Sequence, residues 1–501
     1  MENYMKDLLT KRDDVTSFNH RFFFAFGQVF KTTFKYFIIT AFQYVWAAEP
    51  LAQSLFDAEH YEKVYGIPKE AAYEHYQHEG AVLGNQPNHW LIKIKIEEVL
   101  EQASTTDTPL LQYAKSATHK LEQALEQRWN CIIGGAGFAG SVMARQLADA
   151  GHSVLVLEKR PYLGGNAHDF YDEHGVLIHL YGPHIFHTNN KKVFEFLSQF
   201  TNWRFYEHRV QSVVSAADGK TYPMPINRTT INELYGLDLK TEEECQAYYD
   251  SVKIPCAEIR NSEDVVLSLV GPDLCDKFFR SYTAKQWGGL DLKDLSPDVL
   301  RRIPTRTNID DRYFSDTYQM MPAEGYTKLF ENMLDHPNIK VLCGFDLLTM
   351  QEKLKYDHLV FTGPIDCFFG YRFGELPYRS LRFEFEHLSD VSSYQEVGTV
   401  NYPNDYDFTR ITEFKKLTGQ THAGTTLLKE YPSATSDKLE PLYPVFSAEN
   451  NVALTQYQQL AASLENVSLI GRLAEFRYYN MDQVTEAALE EADKILQKLS
   501  K

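Results

Sequence analysis

The sequence predicts an α/β protein with a helical insert, an antiparallel sheet layer and a mainly helical N-terminal module. Three observations predict it. An apolar strand, a glycine-rich loop, a helix and a second strand follow one another without interruption from Asn130 to Glu158. Capping signals such as Thr241-x-x-Glu244 open helices in the stretch 229–305. A polar break, Ala103–Pro109 (ASTTDTP), separates a helix-rich N-terminal stretch from all that follows.

The N-terminal stretch comes first. Arg21–Ala48 is rich in Phe and Tyr, and Lys31 and Lys35 interrupt it before any apolar run reaches spanning length. It reads as a helix buried against its own domain or a partner, with a helix lying in a membrane interface as the alternative. Phe56–Trp90 reads as two short helices stopped by Gly80, Gly84 and Pro87. Its Phe56, Asp57, Tyr61, Tyr65, His75, Tyr76, Gly80, Gly84 and Pro87 resemble a short helical module found beside bacterial glycosyltransferases. His75 and His78 without further ligands read as packing or surface residues rather than a metal site. A helix over Leu110–Gln127 then leads into the strand Asn130–Ile133.

Composition narrows the function. The chain has 501 residues, 44% hydrophobic and 24% charged, which is a globular balance. A net charge of -18 disfavours a nucleic-acid partner. An anionic small substrate then needs locally placed arginines. Six scattered cysteines form no CxxC pair, no metal is expected, and MENYMKDLLTKRDD is no signal peptide. A reducing cytoplasm with free thiols is expected.

Gly135-Ala136-Gly137-Phe138-Ala139-Gly140 is the dinucleotide fingerprint in its full strand–helix–strand setting. Gly135 makes the tight turn, Gly137 lets backbone approach a pyrophosphate, and Gly140 lets helix and strand touch. The helix N-terminus supplies N–H donors for phosphate. Ser153–Leu157 is the second strand, and Glu158 at its end suits the ribose hydroxyls. Arg160-x-x-x-Gly164-Gly165 follows, as in flavoproteins of the glutathione-reductase type, so the expected cofactor is FAD. Phe138, Ala139, Lys159, Gly165 and Asn166 are expected around it.

From about Arg128 onward the chain resembles the bacterial UDP-galactopyranose mutase family. LEKRPYLGGNAHD, YGPHIFHT, YTAKQWG, RRIPTR, YFSDTYQ, GYTKL, FTGPID, YRFG, LYPV and GRLAEFRYYNMDQV carry the resemblance, in the family's order and spacing. Pro183 departs from it, where alanine is common. The resemblance implies isomerisation of UDP-galactopyranose to UDP-galactofuranose, for cell-surface polysaccharide, without net redox change. It implies reduced FAD, whose N5 attacks the anomeric carbon and holds the sugar covalently while the ring contracts. An amine-oxidase-like flavoprotein is the rival enzyme, but it needs no phosphate arginines. A non-catalytic FAD-loaded scaffold and a mutase acting on a different UDP-sugar also compete with the mutase reading.

The same resemblance implies site residues. Arg302 and Arg410 would grip the diphosphate, whose charge grows as the anomeric bond breaks. Arg302 follows Ser296-Pro297, a helix-start pair. Arg301 reads as solvated. Phe278, Phe279, Tyr282 and Trp287 would lie by the uridine and the sugar, with helix core the plain alternative for Phe279. Tyr313, Tyr443 and Tyr478 would donate to the phosphates and the sugar. Asn227 would lie near the sugar and His184 near the flavin. Gly471–Val484, with Gly471, Arg472, Tyr479 and Met481, would make the second flavin contact. Asn480 stands where the family has aspartate, and with Gln483 it predicts a helix-opening capping box.

The expected division is 1–127 (N-terminal module), 128–228 (first part of the FAD domain and start of the sheet layer), 229–305 (helical insert), 306–455 (sheet layer and second FAD-domain part) and 456–501 (C-terminal FAD segment and helix). UDP-galactose is the expected partner, with a glycosyltransferase or the inner membrane face reached through 1–127. A homo-oligomer is also expected.

Overall fold

A computed structural model describes residues 120–217, 219–301, 305–434, 440–445 and 451–500. Arg21–Ala48, Phe56–Trp90 and Arg302 therefore lie outside the described residues.

Residues 120–126 are helical and lead into β1 (Arg128–Gly134), α1 (Phe138–Asp149) and β2 (Val154–Glu158). Next come β3 (Asp169–Tyr171), β4 (Leu177–His179), β5 (Phe186–Thr188), α2 (Lys191–Leu197) and β6 (Trp203–Phe205). The hairpin β7 (Val210–Val213) and β8 (Thr221–Met224) precedes the insert. The insert is α3 (Arg228–Tyr235), α4 (Glu242–Val252), α5 (Ser262–Leu274) and α6 (Ser281–Gln286). The chain returns through β9 (Tyr318–Pro322), α7 (Tyr326–Leu334), β10 (Ile339–Cys343) and β11 (Lys355–Phe361). Sheet strands β12 (Tyr378–Leu388), β13 (Thr399–Asn401), β14 (Arg410–Glu413), β15 (Thr425–Ala434) and β16 (Tyr443–Pro444) follow. Last are α8 (Asn451–Ala462), β17 (Val467–Leu469) and α9 (Met481–Leu499).

The first sheet is parallel throughout, in the order β10-β2-β1-β11-β17. All of β2 (VLVLE) is buried. Such a continuous apolar run is what a strand covered on both faces requires. α1, α7 and α9 share one core with it: Val142, Met143 and Leu147 meet Leu329, Phe330 and Met333, and Ala488, Leu489 and Ile495. α7 has no side-chain cap of its own. The buried carboxylate of Asp169 accepts from the N–H groups of Tyr326 and Thr327 at 2.6 and 2.7 Å, so a distant residue caps it.

The second sheet has seven strands, ordered β16-β12-β15-β14-β13-β7-β8. It corrects the expected antiparallel layer in one place: β13 and β7 run parallel. These two strands come from segments far apart in the chain, so no hairpin turn dictates their direction. β5, β9 and β6 form a small third sheet and β3 pairs with β4.

The insert packs its own core, including Val266, Val270 and Leu274, against Val210, Tyr222 and Met224 of the hairpin. α3 and α4 open with capping boxes at Asn227/Thr230 and Thr241/Glu244, the second as predicted. α5 kinks at Gly271-Pro272. Gly271 has φ +79°, and a Cβ there would lie 2.2 Å from the Val252 carbonyl oxygen. A π-helical turn, Cys275–Arg280, joins α5 to α6. Among the described residues, no helix is long and apolar enough to cross a membrane and no His/Cys/Asp/Glu group could hold a metal.

Candidate functional site

The glycine loop between β1 and α1 opens a cleft at the carboxyl ends of the parallel strands, where open α/β sheets bind ligands. Of the residues predicted for the cofactor, Gly135, Gly137, Phe138, Ala139, Glu158, Lys159, Gly165, Asn166, His184, Gly471, Arg472, Tyr479 and Met481 line it. Gly140 does not line the cleft; it lies beneath the loop, where a Cβ would be 2.0 Å from the Gly135 carbonyl oxygen. Asn480, expected at the substrate, lines the same cleft.

Local sequence explains the shape. Gly164 N–H donates to the Ala136 carbonyl at 2.9 Å, which binds the second glycine pair to the first loop. A Cβ on Gly165 would lie 3.0 Å from Gly137 Cα, so only glycine keeps these backbones so near. No side chain caps α1, so its first N–H groups are open to the cleft. α9 starts at the same cleft. There Gln483 reaches back to accept from the Asn480 N–H at 3.0 Å, which is half of the predicted capping box. Two helix N-termini thus converge on one space, a setting that suits a phosphate and an anionic ring. Glu158 also accepts from Ala136 N–H at 2.7 Å and Arg160 N–H at 2.9 Å, so it holds the loop as well as facing the cleft. These features fit a dinucleotide cofactor of the flavin type.

Glu440 closes one wall of the cleft. Arg160 bonds it at 2.8 Å and Lys159 at 3.2 Å. Burial raises its pKa, but those two cations outweigh burial and hold it at about 2.

Beside the cleft lies a cluster of aromatic and cationic side chains. Tyr443 and Tyr478 stack with centroids 5.9 Å apart and planes within 14°. The Arg472 guanidinium lies over both rings, 5.3 and 5.6 Å from their centres. Arg410 sits on β14 opposite Glu430 of β15, and its Nε donates to the carboxylate at 2.7 Å. Burial works against the Arg410 charge, but Glu430, Tyr282 and Tyr443 hold its pKa well above the usual value. Tyr282 donates to Asn401 Oδ1 at 3.4 Å, and burial pushes its phenol pKa up. The Tyr313 N–H donates to the His208 carbonyl at 2.7 Å, and the nearby Tyr313 phenol adds to the rise of the Tyr282 pKa.

His184 joins cleft and cluster. Its Nδ1 lies 2.9 Å from the Gly182 carbonyl, which assigns the proton to Nδ1 and leaves Nε2 an acceptor. Burial, with Arg472 and Arg410 nearby, lowers its pKa to about 4 against the pull of that carbonyl. A neutral imidazole results at neutral pH.

Three of the predicted residues are buried away from the cleft. Phe278 and Phe279, 4% and 5% exposed, lie in the core of the insert. They fall on the π-helical turn, whose wider turn changes the side-chain phase from that of an α-helix. Asn227 is fully buried and spends its side-chain oxygen on the Thr230 N–H. Trp287 is half-buried at the end of α6, and Arg301 is exposed.

Sequence reasoning did not single out Arg379, Glu430, Glu440 or Lys285. Arg379 lies on β12 next to Tyr443 of β16, its Nε buried without a partner among the described residues. Gly288 admits it: a Cβ there would lie 2.5 Å from the guanidinium. An arginine and a glutamate placed inward on strands that otherwise bury apolar groups were the available signal.

A family model described as UDP-galactopyranose mutase matches residues 277–478, and one described as an NAD(P)-binding Rossmann-like domain matches 133–200. The chain is 36% identical over 374 residues to a probable UDP-galactopyranose mutase of Klebsiella pneumoniae, covering 74% of this chain and 96% of that one. It is 37% identical over 367 residues to a dTDP-fucopyranose mutase of Escherichia coli, covering 72% and 96%. It is 34% identical over 392 residues to a UDP-galactopyranose mutase of Mycoplasma pneumoniae, covering 74% and 97%. A crystal structure of a reduced UDP-galactopyranose mutase superposes with a TM-score of 0.60 at 17% identity, over 74% of this chain and 96% of that one, which is a likeness of fold.

Proposed function

The chain belongs to the UDP-galactopyranose mutase family, and from that premise we propose that it interconverts UDP-galactopyranose and UDP-galactofuranose on reduced FAD. The observation that carries the reading is the cluster of Arg410, Arg472, Tyr282, Tyr443 and Tyr478 flanking a dinucleotide cleft. Oxidation of an amine would have no use for two arginines and three phenols at that wall. A nucleoside diphosphate leaving group uses all of them.

Gly135, Gly137, Gly165 and the open N–H groups of α1 would hold the cofactor's pyrophosphate, with Glu158 at its ribose and His184, Asn480 and Met481 near its ring. Bound and reduced, FAD supplies the nucleophile at the anomeric carbon. The side chains do the rest. Glu430 keeps the Arg410 fork charged and aligned, ready for the growing charge on the diphosphate. Arg472, beside both phenol rings, adds a second cation. Tyr282, Tyr443 and Tyr478 offer hydroxyls, and burial keeps Tyr282 and Tyr443 protonated donors. His184 stays neutral, so it adds no charge that would compete for the phosphates. Arg302 is assigned to the same diphosphate on the strength of its motif alone.

The N-terminal module, 1–127, is read as a tether to a glycosyltransferase or to the membrane face of the cytoplasm. A protein beginning at about Leu110 would then keep activity and lose its cellular partners. The relative that acts on dTDP-fucopyranose, by its name, makes nucleotide and sugar choice the part to test. Dithionite-reduced protein is given UDP-galactofuranose, UDP-arabinopyranose and dTDP-fucopyranose in turn, and products are separated by chromatography. UDP-galactopyranose formed from the first supports the reading. Bound flavin with no ring interconversion of any sugar would leave the non-catalytic scaffold standing instead.

A further inference from the structure

Lys285 is half-buried beside the site, and the reaction as read above does not use it. It lies on α6, one turn after Tyr282 and two residues before Trp287. Its ammonium donates to three backbone carbonyls, those of Tyr402, Tyr406 (3.0 Å) and Phe408 (3.1 Å). An ammonium has three donors, so all are used. The three carbonyls belong to one loop, residues 402–408, which joins β13 to β14 and ends two residues before Arg410.

The loop is held in a shape it would not choose alone. Asp405 has φ +56°, left-handed for a residue with a side chain. Its carboxylate accepts from Ala216 N–H at 2.8 Å. Asn404 Nδ2 donates to the Val214 and Lys277 carbonyls at 2.9 and 3.0 Å, the second of which is in the insert. Tyr402, Tyr406 and Phe408 pack their rings together inside the loop. Three carbonyls turned toward one point repel each other unless a cation sits there. Without Lys285 these three carbonyls lose their common partner, and the step from α6 to Arg410 loses its most direct tie.

We propose that Lys285 is a positioning residue that pins the helical insert to the Arg410 strand, so that Tyr282 and Trp287 on one side and Arg410 on the other close on the nucleoside diphosphate together. This rests on the mutase reading. The charged groups acting on Lys285 are Asp405 and Asp407, with the Tyr402 and Tyr406 phenols in the same loop. Burial lowers its pKa to about 8, against those two carboxylates. The pin therefore loosens in mild alkali.

The test is UDP binding to the oxidised, flavin-loaded full chain by calorimetry, with Lys285→Met and Lys285→Arg beside wild type. Lys285→Met is expected to bind UDP about ten- to a hundredfold more weakly near neutral pH with flavin content unchanged, since misplacing paired groups has effects of that order. Lys285→Arg, still a cation with several donors, is expected to stay near wild type. Wild-type affinity is expected to fall between about pH 7.5 and 9, and that of Lys285→Arg to hold, which a merely structural lysine would not produce. Wild-type affinity in Lys285→Met, or the same alkaline loss in Lys285→Arg, would overturn the proposal. If Lys285→Met does not fold, the two pH profiles decide it. Wild-type protein that loads flavin but binds no UDP would overturn the mutase reading, and the proposal with it.

Discussion

Replacing Arg410 with methionine should harm stability and binding through separable causes. Glu430 is 1% exposed, and Arg410 donates the hydrogen bond to its carboxylate. Removing the cation leaves a buried carboxylate uncompensated, which costs about 3–5 kcal/mol in comparable pairs. Arg410 is 26% exposed, so water reaches the vacated side and the lower end, about 3 kcal/mol, is expected here. The double variant Arg410→Met/Glu430→Gln removes the stranded charge and should recover most of that loss. It should not recover UDP binding, because the guanidinium itself is still missing. Urea unfolding of the flavin-loaded proteins gives the first quantity and calorimetry with UDP gives the second. Full stability in the single variant, or restored UDP affinity in the double, would show that the Arg410–Glu430 pair does not work in this way.

Other expectations follow from the same geometry. Gly140→Ala puts a Cβ 2.0 Å from the Gly135 carbonyl and should give poorly folded, flavin-free protein, whereas Gly137→Ala meets its nearest neighbour at 3.6 Å and should fold but load less flavin, read from absorbance and circular dichroism. Gly288→Ala, at φ +71° and 2.5 Å from Arg379, should weaken UDP binding and spare flavin content; unchanged UDP affinity would remove Arg379 from the site. His168 and His184 have folded pKa values of about 4, and His179 and His208 about 3, all lowered chiefly by burial. The unfolded chain binds their protons first, so stability should fall as pH drops from about 6.5 toward 4, seen as a falling urea midpoint, and flat stability there would refute the burial of these rings.

How far the sequence could be read depended on the range of the interactions. The βαβ unit was legible because its signals are local: an apolar run, glycines at fixed offsets and an acid at a strand end all act within a few residues. The start of α4 was legible for the same reason, since Thr241 and Glu244 cap each other. Arg410, Tyr443 and Tyr478 were reached through family resemblance, and the structure brings them to one wall. The Arg410 partner was not legible, because Glu430 meets it only across a strand pair. The burial of Phe278 and Phe279 in the insert core was only half legible, because a π-helical turn shifts the side-chain phase without an obvious mark in the sequence. Lys285 and Arg379 were passed over because nothing local distinguishes a pinned cation from a solvated one. The parallel pairing of β13 with β7 is likewise settled by segments far apart in the chain.

The flavin cleft draws α1 and α9 together, although more than 300 residues separate them in the chain. During synthesis the phosphate-binding loop emerges long before the helix that completes its far wall. At common elongation rates the gap is roughly half a minute. In that interval the loop and the unpaired apolar face of α1 wait without their partner. Tight flavin capture then becomes possible only once α9 has been made and docked. A bound flavin would in that sense report that α9 has been made, and a ribosome stalled before residue 480 would release a chain unable to retain one.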